Sequence, residues 1–442
     1  MRRRGRWLAS GLGGILAVAT AVMPSHASIF DTYGKGARGT ALGGSLVALS
    51  ATYEAVYYNP ANLLAKKANH LGISVSGVFP MLSLEPSAPD ASFQPLLPSL
   101  NGGLTLGISV PFGGVLKNKV GLGVTFFHPL GKVTRVESID PATPYFYRYQ
   151  SLPSKFILAA ALAAEPVPWL RFGIGTQVLA ELGGRVHAAL SLSERRFTYK
   201  EIDLDVKGSA ALTAGVSVGP FYGLRFGATW RSALKLQYVI PINVELEEVG
   251  TLSFFVDGVS LYTPDQLALG LSWESHPGKR RGLAVELGLT WERWSAAPPA
   301  VAIFELAVTN DALVAPENVQ NLIESRREPR PLEARDIVIP RLGVEYRPTP
   351  MWAVRAGYFY RATPLPVPVY DTNTVDATAH VISLGGGFTF ADPTKISRHP
   401  LTLDLAIQLT ALKPRRIPKV ASVDYRASGV IWYVALDLRH NY

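Results

Sequence analysis

The residues of this 442-residue chain that could do chemistry are scattered, and their spacing decides against most reactions. Gly34-Lys35-Gly36-Ala37-Arg38-Gly39 has the Gly-x-Gly-x-x-Gly spacing that lets a backbone approach a pyrophosphate. It follows an export-type leader where a dinucleotide site requires a strand, so that reading fails. Past His26, the histidines at 70, 128, 187, 276, 380, 399 and 440 show no paired metal-ligand spacing. The absence of cysteine removes thiolate metal sites and a lipid anchor on Cys. A barrel phospholipase needs Ser, His and an orienting residue together, and no local stretch supplies that trio. The chain therefore reads as a non-enzyme with no catalytic residue, no metal and no cofactor. What remains is a set of isolated charges: Arg171, Arg225, Glu286, Arg355, Asp404, Asp437 and Arg439. Either they pair with one another and with the N-terminal segment, or one arginine holds a carboxylate head group by a charge-assisted bond.

The elements that position those charges follow an export signal. Arg2, Arg3, Arg4 and Arg6 precede an apolar run from Trp7 to Met23, and Ser25-His26-Ala27 supplies small residues at the cleavage positions. Residues 1–27 read as a signal peptide with Ser28 the first mature residue. An uncleaved anchor is the competing reading, opposed by Pro24 and the small-residue site. No second helical span is evident: the charge-free stretch Ala91 to Leu116 is broken by Pro95, Pro98, Gly102, Gly103 and Gly107. An exported chain that is 48% hydrophobic and free of spanning helices has one common solution in a membrane, the closed β-barrel. The formal charge of +9 falls to +5 once the four leader arginines are removed. The basic clusters Lys279-Arg280-Arg281, Arg326-Arg327 and Arg415-Arg416 sit in turn-like sequence. They suit solvated connections or the phosphates of outer-membrane lipids and lipopolysaccharide, and do not imply nucleic acid.

From His70 onward the chain alternates with period two. Leu401, Leu403, Leu405, Ile407 and Leu409 interleave with Thr402, Asp404, Ala406, Gln408 and Thr410, one face for lipid and one for a lumen. Leu283 to Glu292 and Trp352 to Arg361 repeat the pattern. Strands are expected at 70–79, 101–112, 119–136, 145–164, 169–190, 203–219, 222–239, 262–274, 282–295, 337–347, 352–361, 378–391, 400–413 and 427–442, fourteen in all. Short connections alternate with long ones such as Ile240–Leu261 and Ser295–Asp336, the asymmetry of periplasmic turns and outer loops. The longest loop carries a possible helix around Asn318–Arg326. Trp169, Trp273, Trp294, Trp352 and Trp432 fall near strand ends, where indole favours the interface. The last strand ends on Tyr442 and looks like the signal read by barrel-assembly machinery.

Residues 28–69 do not alternate. Gly34, Gly36, Gly39, Gly43 and Gly44 permit close backbone packing, and the apolar stretch Ala41 to Leu49 with Tyr57-Tyr58 favours burial over a disordered tail. Pro60 biases Asn59 to extended geometry and marks a change of direction. This segment resembles the plug of the FadL/TodX-type outer-membrane transporters: an early Phe30, the small-residue run Gly36 to Ala48, then Asn59-Pro60-Ala61-Asn62-Leu63. Asn62 replaces the usual Gly, and Ser50-Ala51-Thr52-Tyr53-Glu54-Ala55 stands where an Asp-containing stretch is more usual. His128-Pro129-Leu130-Gly131-Lys132-Val133-Thr134 resembles the family's third-strand motif, and Arg355-Ala356-Gly357-Tyr358 with Thr363-Pro364-Leu365-Pro366 its later strand and loop.

The resemblance implies an all-β fold, a 14-stranded antiparallel transmembrane β-barrel of residues 70–442 with an N-terminal plug (hatch) of residues 28–69 in its lumen, in the outer membrane of a Gram-negative bacterium and acting as a monomer. It further implies passive import of hydrophobic molecules, long-chain fatty acids first. Cargo would be captured in an internal pocket touched by Phe30 and leave sideways where Pro129 and Gly131 interrupt the third strand. Pro129 has a second reading, as the simple end of that strand. Aromatic hydrocarbon uptake, or a non-conducting barrel that docks partner proteins in secretion, are the alternative functions.

Overall fold

The computed structural model describes residues 29–88, 101–130, 144–149, 155–191, 196–246, 250–277, 279, 281–299, 303–309, 323–327, 332–369, 374–393, 399–420 and 422–441. The expected signal peptide, Gly131 and Tyr442 lie outside them. Fourteen strands form the wall: β1 (His70–Pro86), β2 (Asn101–Pro111), β3 (Val120–Pro129), β4 (Phe156–Val167), β5 (Leu170–Ser191), β6 (Arg196–Phe221), β7 (Leu224–Arg231), β8 (Gln266–Glu274), β9 (Gly282–Glu292), β10 (Ile337–Arg347), β11 (Trp352–Arg361), β12 (Ala379–Phe390), β13 (Leu401–Ile417) and β14 (Tyr425–Asn441). Each pairs antiparallel with the next, and β1 pairs with β14 from His70↔Asn441 to Pro86↔Tyr425, which closes the barrel and leaves no edge in it. No helix among the described residues is long and apolar enough to cross a membrane; the strands do so.

Alternation decides what each face meets. On β13 Leu403, Leu405 and Ile407 are exposed on the outer wall while Asp404, Ala406 and Gln408 are buried inside, and β9 and β14 behave alike. Trp169, Trp273, Trp352 and Trp432 lie on the outer surface. Trp294 does not: it is buried on the lumen side, donating Nε1–H to Glu292 Oε2 at 2.8 Å, because the loop after β9 folds inward.

Four further expectations are corrected. Ile240–Leu261 is a hairpin, Leu234–Leu246 paired with Gly250–Thr263, instead of a loop. Pro241 sits opposite Phe255 in that hairpin. Ile323–Arg327, the described end of the expected helix, is a strand on Ile303–Thr309, which in turn pairs with the first hairpin; an available edge overrides local preference. The strand expected from 145 begins only at Phe156, because Tyr145–Phe146 turns in to pair in parallel with Thr374–Val375. Arg415 and Arg416 belong to β13 and not to a loop.

The N-terminal segment fills the lumen. It comprises α1 (Ile29–Tyr33), α2 (Ala37–Ala41), α3 (Ala55–Tyr58) and a 3₁₀ turn Pro60–Leu64, all almost fully buried. At the barrel's waist, eleven strands present an inward glycine: Gly72, Gly107, Gly123, Gly173, Gly215, Gly227, Gly270, Gly288, Gly343, Gly357 and Gly385. A Cβ at Gly173 would overlap Ala61 N, at Gly215 Asn59 Oδ1 and at Gly357 Gly43 N. Buried Ala161, Ala406 and Ala435 continue the girdle on β4, β13 and β14. The segment therefore meets the wall backbone against backbone at Gly173, Gly227 and Gly357, and through the side chains of Tyr53, Leu63 and Asn59 at Gly72, Gly107, Gly123 and Gly215.

Candidate functional site

Glu286 anchors the segment at the waist. Its carboxylate accepts the backbone N–H groups of Val47, Ala48 and Leu49 at 2.7, 3.1 and 2.7 Å, and its carbonyl accepts Ser45 Oγ–H at 3.1 Å. Successive N–H groups turned to one anion make a nest, the arrangement that binds carboxylates without side chains. Asn59 caps the 3₁₀ turn through Oδ1 to Ala61 N, and its Nδ2 donates to Val47 O at 2.8 Å and Val216 O at 3.0 Å. Asn62 sits inside that turn and donates to Val47 O and Ser50 Oγ while accepting from Arg171.

Toward the short-turn end, where β1 and β14 begin and finish, a buried network joins segment to wall. Arg38 binds Glu54 at 3.0 Å and Glu345 at 3.1 Å; Arg355 binds Glu345 at 2.5 Å and Asp404 at 2.6 Å; Arg439 and Arg347 bind Asp404 and Glu345. Asp437 accepts Ala37 N–H at 2.8 Å and Tyr53 O–H at 3.0 Å. Glu54 thus brings a carboxylate of the segment into the network. Burial opposes its charge, but Arg439 and Arg38 outweigh that and hold its carboxyl below the usual range. All seven lumenal charges picked out from the sequence bind other charges or the segment: Glu286, Arg355, Asp404, Asp437 and Arg439 in this nest and network, Arg171 with Glu165, and Arg225 with Ala48 O.

On the loop side, α1 forms one wall of a cavity of about 50 Å³ lined by Phe30, Tyr33, Tyr57, Arg231, Glu292, Arg341 and Phe359, among others. Phe30 packs edge-on against Tyr57 and Phe127, with centroids 5.7 and 5.0 Å away. Tyr33 stacks on Tyr433 at 5.1 Å. Arg231 binds Asp31 at 2.9 Å and lies 4.0 Å over the Tyr57 ring, and Arg361 reaches Glu292 at 3.2 Å and Asp31 O at 2.6 Å. Lys35 Nζ donates to Thr125 Oγ1 at 2.5 Å and lies 4.8 Å over the Phe30 ring. Burial, with Arg231 nearby, pushes this ammonium down to about 7. Further out, Arg148 and Asp376 form a buried ion pair at 2.6 Å, and Arg148 lies 5.6 Å from the Trp294 ring. This pair ties segment 144–149 to 374–377 across the mouth, and Arg415 clasps Asp376 O and Leu365 O beside it.

Of the residues singled out from sequence, Phe30 sits at the cavity and Asn59, Pro60 and Ala61 at the waist. Pro129 ends β3 opposite Gly103. On the β2 side the ladder still holds one residue further, with Leu130 N–H donating to Gly102 O at 3.0 Å; on the β4 side the register stops at Phe127↔Ile157. Arg231, Arg341, Arg361 and Glu292 escaped the sequence reading. Their signal was inward phase: Arg231, Glu292 and Arg361 close their strands and Arg341 sits in mid-strand, each next to outer-wall residues.

Comparisons with known proteins agree with this architecture. The alkane uptake protein A of Marinobacter nauticus is 24% identical over 424 residues, covering 90% of this chain and 87% of that one. The crystal structure of a Pseudomonas aeruginosa FadL homologue superposes with a TM-score of 0.60 at 13% identity, covering 92% of this chain and 98% of its own. The P. putida toluene transporter TodX gives 0.54 at 14% identity, covering 93% and 99%. These structural likenesses speak for the fold. Residues 15–430 match the family described as outer membrane protein transport protein (OMPP1/FadL/TodX). The chain belongs to that family: an outer-membrane β-barrel of the passive transporters of hydrophobic compounds, and not an enzyme.

Proposed function

We propose that this barrel imports long-chain fatty acids, with the segment of residues 28–69 as its plug, the barrel in residues 70–442 and a signal peptide removed at residue 27. The observation that carries the reading is the chamber around Phe30. It is walled by aromatic rings on the loop side of a filled waist, and its cavity of about 50 Å³ is far below the roughly 300–1,000 Å³ of small-molecule sites. An acyl chain enters only if α1 and the Phe30 ring give way, so capture and movement of the tail are one event. The plug stays on the Glu286 nest and the ionic network, which close the axial route. Exit is then sideways, at the β3–β4 seam where pairing stops before His128 and Pro129. Gly131 belongs to the same kink by family resemblance. The protein works as a monomer among outer-membrane lipids and lipopolysaccharide, placed there by barrel-assembly machinery.

A second reading is a neutral hydrocarbon cargo, favoured by the names of the relatives: alkane uptake for the M. nauticus protein and toluene transport for TodX. The test is uptake of labelled hexadecanoate, hexadecane and toluene by cells lacking their own importer, at equal surface assembly. Saturable hexadecanoate uptake above the empty control supports the first reading. Uptake of the hydrocarbons alone supports the second, and uptake of none from an assembled barrel removes both in favour of a docking role. Replacing Pro129 with a strand-forming residue should lower uptake while the barrel still assembles; unchanged uptake removes the lateral seam.

A further inference from the structure

A second cavity opens at the short-turn end of the lumen, about 100 Å³ against about 50 Å³ for the chamber at α1. It lies at the rim where Pro350 and Met351 lead into β11 and Pro400 into β13, the periplasmic side of an outer-membrane barrel. Five cations line it, Arg38, Lys66, Arg347, Arg355 and Arg439, and among the described residues no carboxylate does. The carboxylates stand behind them. Glu345 already serves Arg38, Arg347 and Arg355, Asp404 serves Arg355 and Arg439, and Glu54 serves Arg38. Four arginines thus share three carboxylates, and Lys66 comes as a further cation. It follows the 3₁₀ turn Pro60–Leu64, and its ammonium makes no hydrogen bond or ion pair among the described residues. Enclosure at this end of the barrel, and then like charge from Arg347, Arg38 and Arg439, push that ammonium down to about 7. Arg347 reaches only Glu345, through Nη2, and Arg439 only Asp404, through Nε and Nη2, so both keep N–H donors without a partner among the described residues. Beside them His70, 2% exposed and bonded through Nδ1 to the lining residue Asn441, has an Nε2 with no partner there either.

A surplus of cations around an enclosed recess is unfavourable until an anion joins them. Guanidinium forks and an ammonium converging from several sides suit a tetrahedral oxyanion, whose oxygens each accept more than one N–H. A single water needs roughly 10–15 Å³ of such space, so the cavity has room for a group of several heavy atoms. We propose that this cavity holds a phosphate group between Lys66 and Arg38 of the N-terminal segment and Arg347 and Arg439 of the wall. The phosphate is that of a free ion or of a phospholipid head group in the periplasmic leaflet, since Met351 and Trp352 at the same rim are exposed on the outer face. Bound there, it latches the end of the segment to β10 and β14. The cavity lies at the opposite end of the lumen from the chamber at α1, so the inference holds whichever cargo the barrel carries.

The experiment titrates inorganic phosphate calorimetrically into the full-length protein in non-ionic detergent, with chloride as the only other anion. Phosphate should bind saturably, and Lys66→Met, which breaks no hydrogen bond or ion pair among the described residues, should weaken it at least about tenfold. Arg347→Gln should do the same, whereas Lys117→Gln, which removes an exposed cation from the β2–β3 turn at the same end, should leave it unchanged. Heat-modifiable gel mobility checks that each variant is a folded barrel. Hydrogen exchange over 59–69 should slow in phosphate for the parent and not for Lys66→Met. Native mass spectrometry from micelles doped with phosphatidylglycerol or an uncharged glycolipid separates the two sources. Phosphatidylglycerol kept by the parent and lost from Lys66→Met assigns the site to a head group, and calorimetric binding without retained lipid assigns it to the free ion. Neither phosphate bound nor lipid retained, or binding weakened as much by Lys117→Gln as by Lys66→Met, overturns the site. Binding that leaves the exchange unchanged overturns the latch.

Discussion

Removing the Glu286 carboxylate should free the N-terminal segment while leaving the barrel closed. In Glu286→Ala three buried N–H groups, those of Val47, Ala48 and Leu49, lose their common acceptor. An unsatisfied buried donor costs roughly 1–3 kcal/mol, so the three together come to about 3–9 kcal/mol. Relaxation that admits water to the strip brings the expected loss to the lower part, about 3–5 kcal/mol. The strand ladders of β9 with β8 and β10 involve only its backbone and persist. Local opening should thus become more frequent by roughly two to four powers of ten. The chain has no cysteine, so Ser50→Cys introduces the sole thiol, at a fully buried position of the segment. Maleimide labelling of that thiol, compared with and without Glu286→Ala, reads the opening directly, and heat-modifiable gel mobility checks the barrel. Glu286→Gln, which keeps one acceptor oxygen, should fall between. A rise of less than about threefold in Glu286→Ala, below roughly 0.7 kcal/mol, would refute the nest as the anchor.

Gly173→Val places carbon atoms on Ala61 N and Pro60, so the segment should leave the waist and planar-bilayer conductance should rise well above the parent's; equal conductance would count against close backbone packing. Phe30→Ala removes the ring wedged between Tyr57 and Phe127, loosening the tail by about 3–5 kcal/mol and enlarging the chamber, which should raise the affinity for an apolar fluorescent probe several-fold. Lys35 is held at about 7 by burial and Arg231, against 10.5 when the tail is in water. The undocked tail therefore binds more protons between those values, and docking should strengthen as pH rises from about 7 and level off near 10. Hydrogen exchange over 29–49, corrected for its intrinsic pH dependence, should show that gain, and Lys35→Met should flatten it.

The barrel was legible because its outer face must be apolar wherever its inner face is not: Leu401 to Thr410 can be read residue by residue. What failed were places where a distant edge decides. Nothing near Pro241 or Ile323 announces the strands they pair with. Trp294 looked like an interface residue until Glu292 and the infolded loop claimed it. The site was half legible. Phe30 and Asn59 could be named from family resemblance and Glu286 from its inward phase, but the three amides that Glu286 collects come from a stretch, Val47 to Leu49, without a polar side chain to mark it. Backbone donors leave no trace in a sequence.

The glycine girdle has an evolutionary corollary. Where two backbones touch, the contact carries almost no side-chain information, so the inserted segment is recognised by its path through space more than by its letters. Substitutions along it that keep that path are absorbed, whereas any gain of a side chain at Gly173, Gly227 or Gly357 collides with the chain itself and cannot be rescued by repacking. Drift should then be lopsided, free on the residues that travel through the ring and nearly frozen on the ring that lets them pass.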